Sequence, residues 1–332
     1  MDKQKAILII QTAFIGDLIL ATPLIEKLAR FFPDYAIDIL VRKGNEALLQ
    51  DHPHVRQVLI WDKKSGKYKN WWRILQKIRG ERYEHLINVQ RFFSTGLLSA
   101  LSRAKHIIGF NKNPLSFSFT KVLPHEIGNG KHEVERNLSL ISALTDDSFQ
   151  KPALYPPKSS VEKVKPFQEV PYVCMAPTSV WFTKQMPPAK WQELIALIPN
   201  HIRIYLLGAP SDAAACEAIK RAVKHTDVVN LAGKLSLIDS VQLISAARMT
   251  YVNDSAPMHM ASSVNAPTTA FFCSTIPDFG FGPLADNSHV VETTEELNCR
   301  PCGLHGKKAC PEGHFKCALG IPFDTQILPE EA

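Results

Sequence analysis

The stretch that decides the fold is residues 6–25, AILIIQTAFIGDLILATPLI, near the start of a chain of 332 residues. Its length and apolar character suit a membrane anchor or a signal peptide. However, polar residues and Gly16 interrupt its middle, and Asp17 would put a carboxylate inside the bilayer at high cost. No small-residue cleavage signature follows the run. The pattern therefore predicts a buried strand, a tight turn and a helix, in a soluble cytoplasmic protein that can still contact a membrane surface.

Apolar runs of the same strand-like character recur along the chain and alternate with helical patterns. The predicted strands are 6–10, 37–41, 55–60, 85–89 and 107–108, followed by a second series at 172–176, 202–207, 228–229, 249–252 and 268–272. Strands that alternate with helices at this spacing predict parallel sheets covered on both faces. Between the two series, residues 148–171 contain five prolines with charges between them, which predicts a linker.

The length of the chain exceeds what one hydrophobic core usually organises, so two domains are expected. We predict an α/β fold of two doubly wound, Rossmann-like domains, 1–155 and 171–332, joined by a proline-rich linker at 156–170. Ligands should bind in the cleft that faces the carboxyl ends of the strands. The composition, 45% hydrophobic and 21% charged, excludes a disordered, collagenous or coiled-coil chain.

A basic segment, residues 62–79, carries a charge equal to the positive excess of the whole chain. It holds seven lysines and arginines against one acid, and the net charge of the chain is +6. With Trp71 and Trp72 inside it, the segment is either a solvated helical face with two inward aromatics or a docking surface for an anionic, lipid-linked acceptor. Nucleic acid is the competing ligand. The candidate acceptor-binding residues are Lys63, Lys64 and Lys67, together with Gln90 and Arg91 after the strand at 85–89.

Asp17 is the first candidate for chemistry. The turn around it, residues 11–23, has neither the three-glycine fingerprint of a dinucleotide site nor the lysine and hydroxyl of a phosphate-binding loop. Gly16 permits a tight turn, so Asp17 should stand at the helix start on the cleft side. There it either complements the helix dipole, worth about 0.3–1 kcal/mol, or acts as a general base for a substrate hydroxyl.

The loop after the strand at 172–176 offers hydroxyls and one cation directly before a helix. Its sequence, APTSVWFTKQMPPAKW, contains Thr178, Ser179 and Lys184, and its two adjacent prolines indicate the start of a helix. This composition suits an anionic ligand such as a phosphate, although a polar loop that only starts a helix would look the same.

Two further junctions of strand and helix point to the same kind of ligand. In YVNDSAPMHMASS, residues 251–263, Asp254 and Ser255 fit a helix cap, and free N–H groups at such a helix start can also hold a diphosphate. His259 falls in the first helical turn and is either structural or catalytic. Asp212 follows an earlier strand, where a carboxylate can hold a ribose.

Four of the seven cysteines cluster near the end of the chain. The cluster consists of Cys299, Cys302, Cys310 and Cys317, with His305 and His314 between them. Seven cysteines are too few for a disulfide scaffold in a chain of this length. In a reducing compartment four thiols suggest a structural zinc site or an iron-sulfur centre, with packing as the alternative. Four thiolates around a metal would leave no open position for a substrate.

Taken together, these segments resemble the ADP-heptose:lipopolysaccharide heptosyltransferases of glycosyltransferase family 9. The matching segments are IGDLILATPLIEKLARFFPDYAIDILV (15–41), PTSVWFTKQMPPAKWQEL (177–194) and NDSAPMHMASSVNAPTTAFF (253–272), followed by FGPL (281–284). The resemblance implies a GT-B fold of two domains that face a central cleft. It also implies a nucleotide-sugar donor held mainly by the C-terminal domain and an acceptor held by the N-terminal domain.

The resemblance implies roles for single residues. The family's catalytic aspartate falls on Asp17. Its donor-binding residues fall on Thr178, Ser179, Lys184, Asp212, Asp254, Ser255, Ala256, Met258 and His259. The chain departs from its relatives at Ala256, where many have glycine, and at Gln185-Met186, where Arg-Trp is frequent. These departures alter the space around the donor backbone contact and the sugar.

The activity that the resemblance implies is inverting transfer of a heptose from ADP-heptose to the inner core of lipopolysaccharide. Asp17 would be the general base, and no cofactor would be required for catalysis, whether or not the cysteines hold a structural zinc. The implied partners are the nucleotide-sugar donor, an anionic lipid-linked saccharide and the inner-membrane surface, but no nucleic acid. The alternatives are transfer of another nucleotide-linked sugar, a nucleotide-sugar epimerase on the same fold, and a non-enzymatic binding module that uses the lysines and cysteines.

Overall fold

Two parallel sheets organise the chain, one in each of two compact units. The units are Met1–Tyr155 and Pro156–Ala332, and each holds a six-stranded sheet. The structure is a computed structural model that describes residues 4–329, apart from the side chain of Lys67. Every strand pairing in both sheets is parallel, as the alternation of strands and helices predicts. Among the described residues, no helix is both long and apolar enough to span a membrane.

The first unit builds its sheet around the stretch that opens the chain. Its strands are β1 (Ala6–Gln11), β2 (Ala36–Arg42), β3 (Gln57–Trp61), β4 (His85–Asn88), β5 (His106–Phe110) and β6 (Lys121–Leu123). Its helices are α1 (Ile15–Ile19), α2 (Thr22–Phe31), α3 (Lys67–Glu81), α4 (Phe93–Leu101) and α5 (Glu133–Ser139). The strand order is β3-β2-β1-β4-β5-β6. Because the order reverses between β1 and β4, a crevice opens at the carboxyl ends of these two strands.

The second unit repeats this topology. Its strands are β7 (Tyr172–Ala176), β8 (Arg203–Leu206), β9 (Val228–Asn230), β10 (Thr250–Asn253), β11 (Thr268–Phe272) and β12 (Ser288–Glu292). Its helices are α6 (Lys158–Val164), α7 (Pro188–Leu197), α8 (Ala213–Arg221), α9 (Leu237–Ile244), α10 (Ala256–Ser263) and α11 (Lys316–Leu319). The order β12-β11-β10-β7-β8-β9 reverses between β7 and β10, which places the second crevice there.

The start of the chain folds as a strand, a turn and two helices rather than one. β1 is buried along its whole length, as a central strand of a parallel sheet must be. Pro23 lies in the first turn of α2, where its missing N–H costs nothing, whereas inside a longer helix it would break the hydrogen-bond ladder. The Thr22 hydroxyl donates to Ile19 O at 2.8 Å and closes the junction between α1 and α2.

The stretch predicted as a linker, 156–170, folds into the second unit instead. Most of it forms α6 and a short 3-10 turn. The Ser160 hydroxyl of α6 donates to Asp239 Oδ1 of α9 at 2.7 Å, which fixes the helix to its neighbour. Pro157 is the N-cap of α6 and Pro166 follows its end, so the prolines bound the helix and do not interrupt it. The number of prolines in this stretch does not show whether they lie at the ends of a helix or inside it, so composition alone could not distinguish α6 from a linker.

A buried carboxylate ties β2 to the segments around it in the first unit. Asp38 of β2 is fully buried. Its Oδ1 accepts a hydrogen bond from Arg56 Nε at 2.9 Å, and its Oδ2 accepts one from the Tyr83 hydroxyl at 2.6 Å. Burial raises the pKa of Tyr83, and the hydrogen bond to Asp38 adds to the rise. The carboxylate thus has the hydrogen-bonded partners that a buried charge requires.

Replacing Asp38 with alanine should lower the free energy of unfolding of the first unit by roughly 2–4 kcal/mol. The substitution leaves the Tyr83 hydroxyl buried without its acceptor and leaves Arg56 with only its longer ion pair to Glu81, at 3.3 Å. Hydrogen exchange of the β2 amides, followed by mass spectrometry, should therefore become faster. The control is Asp34→Ala, which removes an exposed acid just before β2 and should exchange like the wild type. Equal exchange in both variants would contradict the role given to Asp38.

Candidate functional site

Two glutamines join the strand ends that border the crevice of the first unit. Gln90 Nε2, just after β4, donates to Gln11 Oε1 at the end of β1. Gln11 Nε2 in turn donates to Asp17 O at 3.3 Å. Gln90 is buried, and its Oε1 has no hydrogen-bond partner among residues 4–329. The structure thus places Gln90, which we predicted to bind an acceptor, in the wall of the crevice next to the turn that carries Asp17.

Asp17 lies in the first turn of α1. Its Oδ2 accepts a hydrogen bond from the Phe14 N–H at 3.1 Å, so the carboxylate caps the helix. Burial, followed by the negative charge of Glu133, raises the pKa of Asp17 to about 6. The hydrogen bond from Phe14 and the charge of Arg91 oppose this rise. A carboxyl group with this pKa is ionised at neutral pH, yet basic enough to take up a proton during a reaction.

Glu133 holds a negative charge that acts on Asp17, and the sequence analysis did not identify it. It is the first residue of α5, and its carboxylate lies 3.3 Å from His125 Nε2 and 2.7 Å from Arg136 Nε. Burial acts against ionisation, but these two partners outweigh it and lower the pKa of Glu133. Asn137 Nδ2, also on α5, donates to Leu20 O at 3.0 Å, which fixes α5 to the end of α1.

Lys63 and Arg91, two of the predicted acceptor-binding residues, lie near the turn that carries Asp17. Lys63 Nζ donates to Thr12 O at 2.9 Å and to Thr12 Oγ1 at 3.0 Å. Burial, followed by the positive charge of Arg42, lowers the pKa of Lys63 to about 8. Arg91 follows β4, and its charge acts on Asp17. The crevice of the first unit therefore places the Asp17 carboxylate near cations from two different strand ends.

The rest of the basic segment lies on the surface, before or along α3. Lys64 is exposed, and the side chain of Lys67 lies outside the part of the chain that the structure describes. Trp71 packs inward, and its Nε1 donates to Ser94 O at 3.0 Å. Trp72 is 53% exposed. Of the two tryptophans expected to pack inward on a solvated helix, only Trp71 does so.

Asn253 organises the crevice of the second unit, between the ends of β7 and β10. It is the last residue of β10 and is fully buried. Its Oδ1 accepts a hydrogen bond from the Met186 N–H at 2.9 Å, and its Nδ2 donates to Pro177 O at 3.0 Å. One amide side chain therefore fixes both ends of the loop 177–186. We did not predict a role for Asn253 from the sequence, although its position directly before Asp254 was the available signal.

The loop brings Lys184 to Asp254, and this ion pair is the main electrostatic feature of the crevice. Lys184 Nζ lies 2.6 Å from Asp254 Oδ2, and the two side chains are 15% and 8% exposed. The Thr275 hydroxyl donates to the same Oδ2 at 2.7 Å. Helix α10 begins at Ala256 with Ser255 as its N-cap, so the positive end of its dipole directly follows the pair. An ammonium group beside a helix N-terminus is suited to bind a phosphate.

The other predicted donor residues differ in how accessible they are. Thr178 and Ser179 are half-buried in the loop. Met258 is fully buried in a small apolar cluster, and His259 is buried as well. Asp212 is half-buried after β8, and its Oδ2 accepts a backbone hydrogen bond at 2.8 Å. A ligand could therefore reach Met258 through its backbone only.

The four clustered cysteines influence one another, but they are not arranged as a metal site. Burial, followed by the nearby thiols, raises the pKa of Cys317 to about 11 and also raises the pKa of Cys302. The Cys302 thiol donates to Cys299 O at 3.1 Å. Within residues 4–329, no group of three or more histidine, cysteine or acidic side chains is placed to hold a metal ion. The structural metal stays a prediction from the sequence.

The fold and its two crevices define the class of protein when they are compared with solved structures. The structure of Escherichia coli ADP-heptose lipopolysaccharide heptosyltransferase II matches with a TM-score of 0.77 at 22% identity, over 90% of this chain and 95% of that chain. The E. coli heptosyltransferase WaaC with ADP matches with a TM-score of 0.69 at 19% identity, over 86% and 92%. The fold is that of the GT-B glycosyltransferases.

The sequence then identifies the family within this class. The model of glycosyltransferase family 9 (heptosyltransferase) matches residues 71–313, and the chain belongs to that family. Lipopolysaccharide heptosyltransferase 3 of Escherichia coli is 29% identical over 280 residues, which cover 79% of this chain and 82% of the relative. The resemblance drawn from the three motifs is confirmed, and the protein is a glycosyltransferase.

We expect the Asp17 carboxyl group to titrate near pH 6, about where burial and Glu133 place its pKa. Replacing Glu133 with glutamine removes the second of these causes and should lower the pKa of Asp17. A ¹³C NMR titration of the aspartate carboxyl carbons measures both values. Glu135→Gln, which removes the same charge from an exposed position of α5, is the matched control and should leave the titration unchanged. An identical Asp17 titration in the Glu133 variant would contradict the coupling.

Proposed function

We propose that the protein is an inverting heptosyltransferase that moves a heptose from ADP-heptose to the inner core of lipopolysaccharide. Membership in glycosyltransferase family 9 supports the class of reaction. The related WaaC was solved with ADP and with ADP-2-deoxy-2-fluoro heptose, which supports the donor. The name of the E. coli relative supports the acceptor. The observation that carries the proposal is the ion pair of Lys184 and Asp254 beside the N-terminus of α10.

The donor diphosphate is assigned to the crevice of the second unit. It carries more negative charge than the Asp254 carboxylate, so it competes for the Lys184 ammonium and adds contacts to the N–H groups that begin α10. The hydroxyls of Thr178 and Ser179 can donate to its oxygens, and Asp212 can accept from the ribose. When the bond between the anomeric carbon and the diphosphate breaks, negative charge grows on the leaving ADP. Lys184 and the helix N-terminus stabilise that charge.

The proton of the acceptor hydroxyl is assigned to Asp17. The hydroxyl oxygen forms a bond to the anomeric carbon while its proton moves to the Asp17 carboxylate. The attack comes from the face opposite the diphosphate, so the configuration at that carbon inverts and ADP leaves with the electron pair of the broken bond. The raised pKa of Asp17, about 6, suits this role because a stronger acid would bind the proton less well.

The acceptor is assigned to the first unit, where cations and exposed rings follow the strand ends. Arg42 ends β2 and lies 5.2 Å from the centroid of the Phe14 ring, which is 63% exposed. Arg91 lies 5.7 Å from the centroid of the Phe92 ring, which is 48% exposed. Adjacent cations and apolar rings suit a molecule with both anionic and apolar parts. We therefore propose that the acceptor is an anionic, lipid-linked saccharide at the inner-membrane surface.

Replacing Asp17 with asparagine should reduce the turnover number by about 10²- to 10⁴-fold, because the amide cannot take the proton. Calorimetric binding of ADP should stay unchanged, since the nucleotide is assigned to the second unit. Asp51→Asn, at an exposed acid of the first unit, is the control and should keep full turnover. Turnover of the Asp17 variant at the wild-type rate would refute the base assignment.

Transfer should continue at an undiminished rate in EDTA, because Lys184 and the N-terminus of α10 supply the positive charge that stabilises the leaving diphosphate. The measurement is release of ADP in the presence of acceptor, before and after the chelator is added. Addition of Mg²⁺ to the EDTA-treated enzyme serves as the control. A reversible loss of activity that Mg²⁺ restores would overturn the metal-independent mechanism.

A further inference from the structure

The cysteine-rich segment, residues 299–317, packs directly against the loop that carries Lys184. Thr183, next to Lys184, donates from its N–H to Lys307 O at 3.1 Å. Its Oγ1 accepts from the Lys307 N–H at 2.7 Å and from the Ser274 hydroxyl at 2.9 Å. Thr183 is 1% exposed. The contacts with Lys307 join residues 124 positions apart and the contact with Ser274 joins residues 91 apart, so they fix the loop from outside rather than through its own turns.

Gly306 of the same segment contacts the side chain of Lys184 itself. It has a φ of +74°, and a Cβ atom added there would lie 2.9 Å from Lys184 Cγ and 3.1 Å from Thr183 Oγ1. Such an approach is closer than carbon atoms tolerate, so only glycine permits the backbone to lie against the lysine. The contact is on the aliphatic stem of Lys184, which limits where its ammonium can point.

Arg300 connects the segment to the other member of the ion pair. Its guanidinium, 12% exposed, donates to Cys273 O at 2.7 Å and to Thr275 O at 2.8 Å. The Thr275 hydroxyl then donates to Asp254 Oδ2 at 2.7 Å. The segment 299–317 therefore lies against Lys184 directly and is linked to Asp254 through Thr275.

We propose that residues 299–317 form a brace that positions Lys184 for the donor diphosphate, with Thr183 and Gly306 as positioning residues. The inference rests on the proposed role of Lys184 in the donor site. It gives the cysteine-rich segment a function in donor binding that does not depend on a bound metal. A lysine side chain is flexible, and misplacing a binding group by about 1 Å can cost up to about 100-fold.

The test compares two glycines of the segment. Gly306→Ala and Gly313→Ala both put a side chain at a positive φ, +74° and +70°, but only the first meets Lys184, because nothing lies within 4 Å of a Cβ at Gly313. The shared backbone strain therefore cancels in the comparison. Calorimetric titration with ADP should show a dissociation constant about 10- to 100-fold higher for Gly306→Ala than for Gly313→Ala. Equal dissociation constants would overturn the inference.

A second pair of variants decides the matter if Gly306→Ala does not fold. Thr183→Val keeps the shape of the side chain and loses the hydrogen bonds of the hydroxyl, whereas Thr183→Ser keeps them. The valine variant should raise the KM for the nucleotide sugar more than it lowers kcat, and serine should restore the wild-type KM. A wild-type KM in the valine variant, or a failure of serine to restore it, would contradict positioning by Thr183.

Lys184→Ala separates this inference from the proposed function. If the wild-type protein does not bind ADP, or if Lys184→Ala binds it equally well, the donor assignment fails. If Lys184→Ala loses binding while Gly306→Ala and Thr183→Val keep it, the donor assignment stands and the brace is refuted. Weaker binding of ADP in all three variants, with Gly313→Ala and Thr183→Ser binding it as the wild type does, is the expected result.

Discussion

The reversal of strand order beside β1 and beside β7 is the constraint on which both candidate sites depend. At these two places, neighbouring parallel strands send their connections in opposite directions, so the chain leaves a gap at their carboxyl ends. Buried amide side chains then hold the turns that border each gap. Gln11 and Gln90 do this in the first unit, and Asn253 does it in the second. The buried amide side chains of Gln11 and Asn253 donate to and accept from backbone groups of these turns, and so fix the residues that carry the reactive groups.

The charged groups in the crevice of the first unit and in the crevice of the second unit are balanced in different ways. This difference agrees with the roles proposed for the two crevices. In the second unit, Lys184 and Asp254 neutralise each other across 2.6 Å, so the cation is already largely desolvated before an anionic ligand binds, and Asp254 also accepts a hydrogen bond from the Thr275 hydroxyl. In the first unit, Asp17 is half-buried, burial and the negative charge of Glu133 raise its pKa, and the charge of Arg91 offsets the rise only in part. One site is therefore suited to hold negative charge, and the other to accept a proton.

Sequence periodicity predicted most of both sheets, because buried parallel strands are continuous apolar runs. The predicted strands at 172–176 and 268–272 coincide with β7 and β11. The elements it missed lack such runs: β6 and β12 are edge strands without a buried residue, and α11 and α5 have only 4 and 7 residues, too few to show a helical period. The linker prediction differed from the structure because prolines at the ends of α6 look the same in composition as prolines within a coil.

Candidate site residues could be predicted where they belong to a local sequence motif. They could not be predicted where they come from a segment far away in the sequence. Asp17, Lys184 and Asp254 stand in motifs that follow strands, so their positions could be read from the sequence. The partners that set their geometry are far away in the chain. Glu133 lies on a helix of only 7 residues, and Lys307 contacts Thr183 from 124 residues further along the chain. The local sequence pattern of one segment does not indicate which distant segment it contacts.

The most direct test of the account is a crystal structure of the protein with ADP bound. We predict that a β-phosphate oxygen lies within hydrogen-bonding distance of Lys184 Nζ and of a backbone N–H at the start of α10, with the ribose near Asp212. A nucleotide bound elsewhere, with Lys184 and Asp254 still paired at 2.6 Å, would contradict it.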